Sequence, residues 1–287
     1  MRWLVVGSQG MLGTDLLTVL RARGEEVHGV DRPEVDIVDA RASARLADGV
    51  DVVVNCAAYT AVDKAEEEEP AAFAVNAVGA ANVARAARTA GARLVHISTD
   101  YVFDGSATSP YPEDGTLAPR SAYGRTKAAG EWAVRAEAPD HLIVRTAWLY
   151  GAHGPCFPKK IAQLARERGG LTVIEDQVGQ PTWTMDLAGL LVSLVTAGAA
   201  PGVYHGTSSG STSWHGFARA VVAAAGMDPM LVRPTVAAAF ASAAERPAYS
   251  VLGHHTLLAS GVTPIGPWEE RWSAAADEVL GAAPPIA

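Results

Sequence analysis

The chain has 287 residues, 49% hydrophobic and 19% charged, with a formal net charge of −8. That size and apolar content are those of a folded chain with a full core, not of a disordered one. The acidic balance argues against a nucleic-acid partner held by phosphate neutralisation, but not against one bound nucleotide.

In chain order, short β-branched runs alternate with Ala-rich stretches. Trp3 to Val6, Glu26 to Val30, Val52 to Val54, Arg93 to Ser98 and His141 to Arg145 are predicted strands. Met11 to Arg23, Ala71 to Thr89 and Ser121 to Glu137 are predicted helices. Pro70 stands where a helix can begin, and the acidic run Glu66 to Glu69 suits a helix N-terminus. This alternation predicts an α/β fold, a doubly wound parallel sheet of Rossmann-like type.

After about Tyr150, Gly and Pro recur and the pattern loosens. Helices are predicted near Phe157 to Arg168, Thr184 to Val195 and Ser213 to Ala225, and the tail Ala282 to Ala287 is expected to fray. Residues 1–150 are expected to form a dinucleotide-binding domain and 151–287 mainly a smaller substrate-binding domain. The start of the chain is too short in apolar residues for a signal peptide. Leu187 to Ala200, interrupted by Ser193 and Thr196, is too short for a membrane span. A soluble, cytoplasmic protein without a membrane partner is expected. Cys56 and Cys156 have no metal or disulfide spacing, and the adjacent His254 and His255 suit a loop, so no metal site is expected.

Gly7-Ser8-Gln9-Gly10-Met11-Leu12-Gly13 follows the first predicted strand and opens the first helix. In that context the first glycine permits a tight turn, the second lets backbone approach a pyrophosphate, and the third allows close helix–strand packing. The helix N-terminus offers free N–H groups to the phosphates. Asp31, at the end of the second strand, can bond the adenine ribose of NAD. The adjacent Arg32 can meet the 2′-phosphate of NADP instead, so the pair leaves cofactor choice open.

Tyr123-Gly124-Arg125-Thr126-Lys127 places a phenol and an ammonium four residues apart, on one face of a predicted helix. A free phenol titrates near 10, too high for easy proton exchange at neutrality, and a nearby cation lowers that value. Thr99 stands where a strand ends, the place ligands bind in open α/β sheets, and can hold a carbonyl oxygen beside Tyr123. An isolated Tyr-x-x-x-Lys is commonly a surface pair; the glycine-rich turn upstream makes that the weaker reading.

These motifs, in order with Asn55 to Glu66, Ser98 to Gly105, Arg145 to Gly151, Asp176 to Thr182 and Glu245 to Pro247, carry a resemblance. The chain resembles the extended short-chain dehydrogenase/reductase superfamily, and within it the dTDP-4-dehydrorhamnose reductase family. The resemblance implies reduction of the 4-keto group of a dTDP-linked 4-keto-6-deoxyhexose by NADPH, with NADH also accepted. It implies that Tyr123 protonates the keto oxygen, that Lys127 binds the nicotinamide ribose and lowers the Tyr123 pKa, and that Thr99 holds the oxygen. Asp100 and Tyr101 would lie nearby, Val102 and Trp148 would contact the sugar, and Arg246 would lie near the diphosphate. Gln9, Met11 and Leu12 would join the glycines around the cofactor. Ala57, Ala58 and Tyr59 would line it, and Asp36 and Ile37 would lie against the adenine. The helix near 184–195 would return to the dinucleotide domain, and a homodimer is allowed.

The resemblance also brings departures. Some relatives hold magnesium on glutamates at a dimer contact, whereas Asp15 and the apolar Met185 stand there in this chain. Competing readings are a related antibiotic-pathway 4-ketoreductase such as a dTDP-dihydrostreptose synthase, or a non-catalytic regulatory subunit like that of methionine adenosyltransferase. An epimerase or dehydratase ranks last, since Ser98-Thr99-Asp100-Tyr101 lacks the Asp-Glu pair expected of the dehydratases.

Overall fold

Alternating apolar residues, buried on both faces, build the central sheet. In the computed structural model, which describes residues 1–281, six strands pair in parallel. They are β1 (Arg2–Val6), β2 (Glu26–Val30), β3 (Val52–Asn55), β4 (Arg93–Thr99), β5 (His141–Thr146) and β6 (Gly202–His205), in the order β2-β1-β3-β4-β5-β6. Period-two alternation sends Trp3, Val5, Val52 and Val54 into one core and Leu4, Val6 and Val53 into the opposite one. The strand order reverses between β1 and β3, which opens a crevice at their carboxyl ends.

The main helices are α1 (Met11–Ala22), α2 (Ala80–Ala90), α3 (Ala122–Glu137), α4 (Phe157–Arg168), α5 (Thr184–Thr196), α6 (Trp214–Ala224) and α7 (Trp268–Leu280). Leu187, Leu191 and Leu194 of α5 share a core with Leu12, Leu16 and Leu20 of α1, so this late helix packs on the sheet's first crossover. A second core joins α4, α6 and α7 through Ile161, Phe217, Val221, Trp268 and Trp272.

The structure departs from the sequence expectations in four places. The predicted helix from Ala71 to Thr89 is three pieces: an α-turn at Glu69–Phe73, a π-helix at Ala74–Gly79, and α2. The π-turn brings the Asn76 carbonyl against α3, where a Cβ on Gly130 would lie 2.1 Å from it. Hydrophobic period alone does not reveal such an inserted residue. The sheet also takes its sixth strand, β6, from beyond residue 150; its four residues between Pro201 and Gly206 carry too little pattern to notice. Helix α7 was not expected either, although Trp268, Trp272, Ala275, Ala276 and Val279 recur at helical spacing and are buried. His255, expected in a loop, begins the short helix His255–Ala259. The tail expected to fray, 282–287, lies outside the described residues. Among those described, no helix is long and apolar enough to cross a membrane, and Cys56 and Cys156 are both free.

Candidate active site

A cleft of about 900 Å³ lies at the carboxyl ends of the strands, over the switch point. The glycine-rich turn forms its floor. Gly7 adopts φ 81°, and a Cβ there would stand 2.7 Å from the Ala57 nitrogen. A Cβ on Gly13 would stand 2.2 Å from the Gly7 carbonyl, so this glycine sets how closely α1 meets β1. Gly10 precedes α1 without a side-chain cap, so the first N–H groups of the helix face the cleft unclaimed by a side chain. Such a turn can cradle a dinucleotide pyrophosphate.

Gln9, Met11, Leu12, Asp31, Arg32, Asp36 and Ile37 line the same cleft, together with Ala57, Ala58 and Tyr59. The Asp31 carboxylate accepts from the backbone N–H groups of Gln9 at 2.9 Å and Arg32 at 2.8 Å, tying β2 to the glycine turn. Arg32 is exposed beside it. Asn76 in the π-turn fixes Tyr59: its side chain accepts from the Tyr59 N–H at 2.8 Å and donates to the Tyr59 carbonyl at 3.1 Å.

Helix α3 delivers Tyr123 and Lys127. Ser121 caps it by accepting from the Gly124 N–H at 3.1 Å, and Glu66 accepts from the Ala122 N–H at 2.8 Å. Gly124 lets the helix rest on the loop after β4, since a Cβ there would lie 2.2 Å from the Tyr101 carbonyl. Tyr123 and Tyr101 meet edge to face with ring centroids 5.5 Å apart.

Burial pushes the Tyr123 phenol up to about 12; the Thr99 hydroxyl opposes the rise and Asp100 adds to it. This corrects the expectation that Lys127 lowers it. Lys127 instead donates from Nζ to the Ile97 carbonyl at 2.6 Å, and burial draws it down to about 8, with Glu131 acting in the other direction. Thr99, at the end of β4, donates to Asp100 Oδ1 at 2.9 Å. Burial lifts the Asp100 carboxyl to about 6.

Behind these groups lies a buried ion pair that the sequence reading missed. Glu131, one turn beyond Lys127, receives Arg145 from β5 through two bonds of 2.8 Å and the Ser98 hydroxyl at 2.6 Å. Arg145 also donates to the Glu113 carbonyl at 3.0 Å, so both ends of the pair are satisfied. The signal was a charged residue inside an apolar strand, Leu-Ile-Val-Arg-Thr. Asn76 gave no such signal, because its helix read as continuous.

On the substrate side, Trp148 lines the cleft with Thr99, Asp100, Tyr101 and Tyr123. Its backbone φ is 48°, the one positive value at a non-glycine residue among those described. Such a conformation for a bulky residue costs about 1–3 kcal/mol. One residue expected at the sugar, Val102, stands elsewhere, whereas Arg246 was expected near the diphosphate. The Val102 side chain is fully buried with Phe103, Ala128 and Leu252 and faces away from the cleft, because the 3₁₀ turn at Asp100–Val102 rotates it into the core. Arg246 lies in an adjoining niche that shares Tyr101 with the cleft, where its guanidinium grips Asp63 at 2.6 Å. That pairing holds Asp63 down to about 2. Asp15 is turned inward, accepting from the Thr184 hydroxyl, and Met185 packs against the second core.

A dinucleotide cradle on a parallel sheet, with a tyrosine, a lysine and a threonine gathered at its open end, defines a nicotinamide-dependent oxidoreductase of the short-chain dehydrogenase/reductase class. Comparison with known proteins narrows this. The model of the RmlD substrate binding domain matches residues 1–280. The chain is 48% identical over 274 residues to a dTDP-4-dehydrorhamnose reductase of Streptomyces griseus, covering 93% of this chain and 90% of that one. It is 47% identical over 270 residues to a dTDP-4-keto-6-deoxy-D-glucose reductase of Streptomyces niveus, covering 93% of each. The crystal structure of a dTDP-4-dehydrorhamnose reductase from Bacillus anthracis in complex with NADP superimposes with a TM-score of 0.92 at 36% identity, over 96% of this chain and 98% of that one. The chain belongs to the dTDP-4-dehydrorhamnose reductase family.

Proposed function

We propose that this protein reduces the 4-keto group of a dTDP-linked 4-keto-6-deoxyhexose with NADPH, NADH serving as well. The leading substrate is dTDP-4-dehydro-L-rhamnose and the product dTDP-L-rhamnose. The observation that carries this reading is the convergence of Thr99, Tyr123 and Lys127 in one cleft with the glycine-rich cradle.

The nicotinamide supplies the hydride when bound. The chain's own residues handle the oxygen. Tyr123 gives its proton to the keto oxygen, a donation suited to a phenol that burial keeps protonated at neutral pH. The Thr99 hydroxyl, which otherwise donates to Asp100, turns its single proton to that oxygen when the sugar binds and holds it in line. Lys127 would hold the nicotinamide ribose with its ammonium when the cofactor is bound. The rim of the cleft at Trp148 meets the hexose, while Arg246, engaged with Asp63, offers its remaining donors toward the nucleotide phosphates. A regulatory subunit has no need of this set of three groups.

Incubation with dTDP-4-dehydro-L-rhamnose and NADPH tests the proposal, with NMR of the product sugar. The two Streptomyces relatives bear names with different keto sugars, so dTDP-4-keto-6-deoxy-D-glucose is the comparison substrate and NMR distinguishes the products. Oxidation of NADPH by neither sugar would remove the reading. A homodimer and a cytoplasmic location belong to the same proposal; sedimentation and cell fractionation test them.

A further inference from the structure

The indole of Trp148 is held by a residue that does not itself reach the cleft. Trp214, the first residue of α6, stacks on Trp148 with ring centroids 3.5 Å apart and planes 7° from parallel. Phe157 at the start of α4 supports Trp214 in turn, with centroids 4.5 Å apart. Gly179 approaches the same indole so closely that a Cβ would lie 2.4 Å from its Cε2 atom. The support is itself well anchored. Thr212 and Ser213 pair with Gly179 and Val178 as a short antiparallel ladder, and Ser213 caps α6 by accepting from the Gly216 N–H at 3.0 Å. Trp148 meanwhile holds a left-handed backbone that a bulky residue does not adopt unaided. Strain at a cleft residue, held in place by surrounding packing, points to function.

We propose that Trp214 is a positioning residue for the sugar end of the site. It fixes the Trp148 indole as a rigid wall, and the fit of the hexose ring depends on that wall. Trp214 touches neither the cradle nor the groups that move the proton, so it acts only through Trp148. The inference rests on the nucleotide-sugar reading above.

Four variants test it: Trp214→Ala, Trp214→Phe, Trp148→Ala and the double alanine variant. Trp214→Ala is expected to raise KM for the dTDP-linked keto sugar about tenfold, the scale an aromatic pair supplies. Kd values for NADPH and for dTDP alone should not move. Trp214→Phe, which keeps an aromatic face, should recover most of the loss. The double variant should match Trp148→Ala, because a residue acting through another adds nothing once that other is gone. Additive losses in the double variant, or an unchanged KM in a folded Trp214→Ala, would overturn the inference and leave the function standing. Inactivity of the unaltered protein toward any dTDP-linked keto sugar would remove both. Should the alanine variants fail to fold, Trp214→Phe against Trp214→Leu decides it on the same KM and Kd readouts.

Discussion

Lys127 donates to the carbonyl oxygen of Ile97 at 2.6 Å, so helix α3 is pinned to the end of strand β4 by the same ammonium that faces the cofactor site. Burial makes that ammonium easy to deprotonate, at about 8. Activity is therefore expected to fall as pH rises through about 8, when Lys127 loses its charge. A kcat/KM profile flat to pH 10 would exclude a required lysine cation. The sign for stability is the reverse. The folded-state pKa lies below the ordinary lysine value of 10.5, so between about 8 and 10.5 the unfolded chain binds more protons and stability rises with pH. Lys127→Met should lack that rise in urea titrations run across the window.

Tyr123→Phe removes the proposed proton donor and leaves the ring packed on Tyr101. Turnover should drop about 10²–10⁴-fold, the usual contribution of a general acid, with NADPH affinity unchanged in a fluorescence titration. Near-full turnover in this variant would mean that another group supplies the proton.

Arg32 lies exposed beside an Asp31 carboxylate already bonded to two backbone N–H groups. Only NADPH presents a 2′-phosphate there. Arg32→Ala should weaken NADPH about tenfold or more, the worth of a charge-assisted hydrogen bond, and spare NADH. Equal Kd changes for both cofactors would show that Arg32 does not read the phosphate.

The Glu131–Arg145 pair is almost wholly out of water, with side-chain exposures of 0% and 1%. Removing one partner strands a buried charge, at a cost of about 3–5 kcal/mol. Arg145→Met should therefore shift the urea midpoint far more than Arg125→Met, whose pair with Glu69 is exposed and worth under about 1 kcal/mol. Similar midpoints for the two variants would contradict the buried-pair assignment.

The sequence by itself determined five strands of the parallel sheet, through short apolar runs, and the glycine-rich turn after the first of them, through three glycines at the spacing such a turn needs. It also determined that Tyr123 and Lys127 share a face, because four residues of helix place them there. Period and spacing are local properties, and each of these features is local. Tertiary structure decided the rest. Whether Lys127 lowers the Tyr123 pKa depends on burial and on a carbonyl from another strand, and here burial dominates. Whether Val102 meets the sugar depends on a three-residue turn that rotates it into the core. Arg246 is held by Asp63, 183 residues away in the chain. Trp148 gains its support from Trp214 and Gly179, and the sheet its last strand from residues 202–205. In each case the deciding partner is distant in sequence, so no local pattern carries it. Desolvation, stacking and charge pairing act only once packing has brought the partners together.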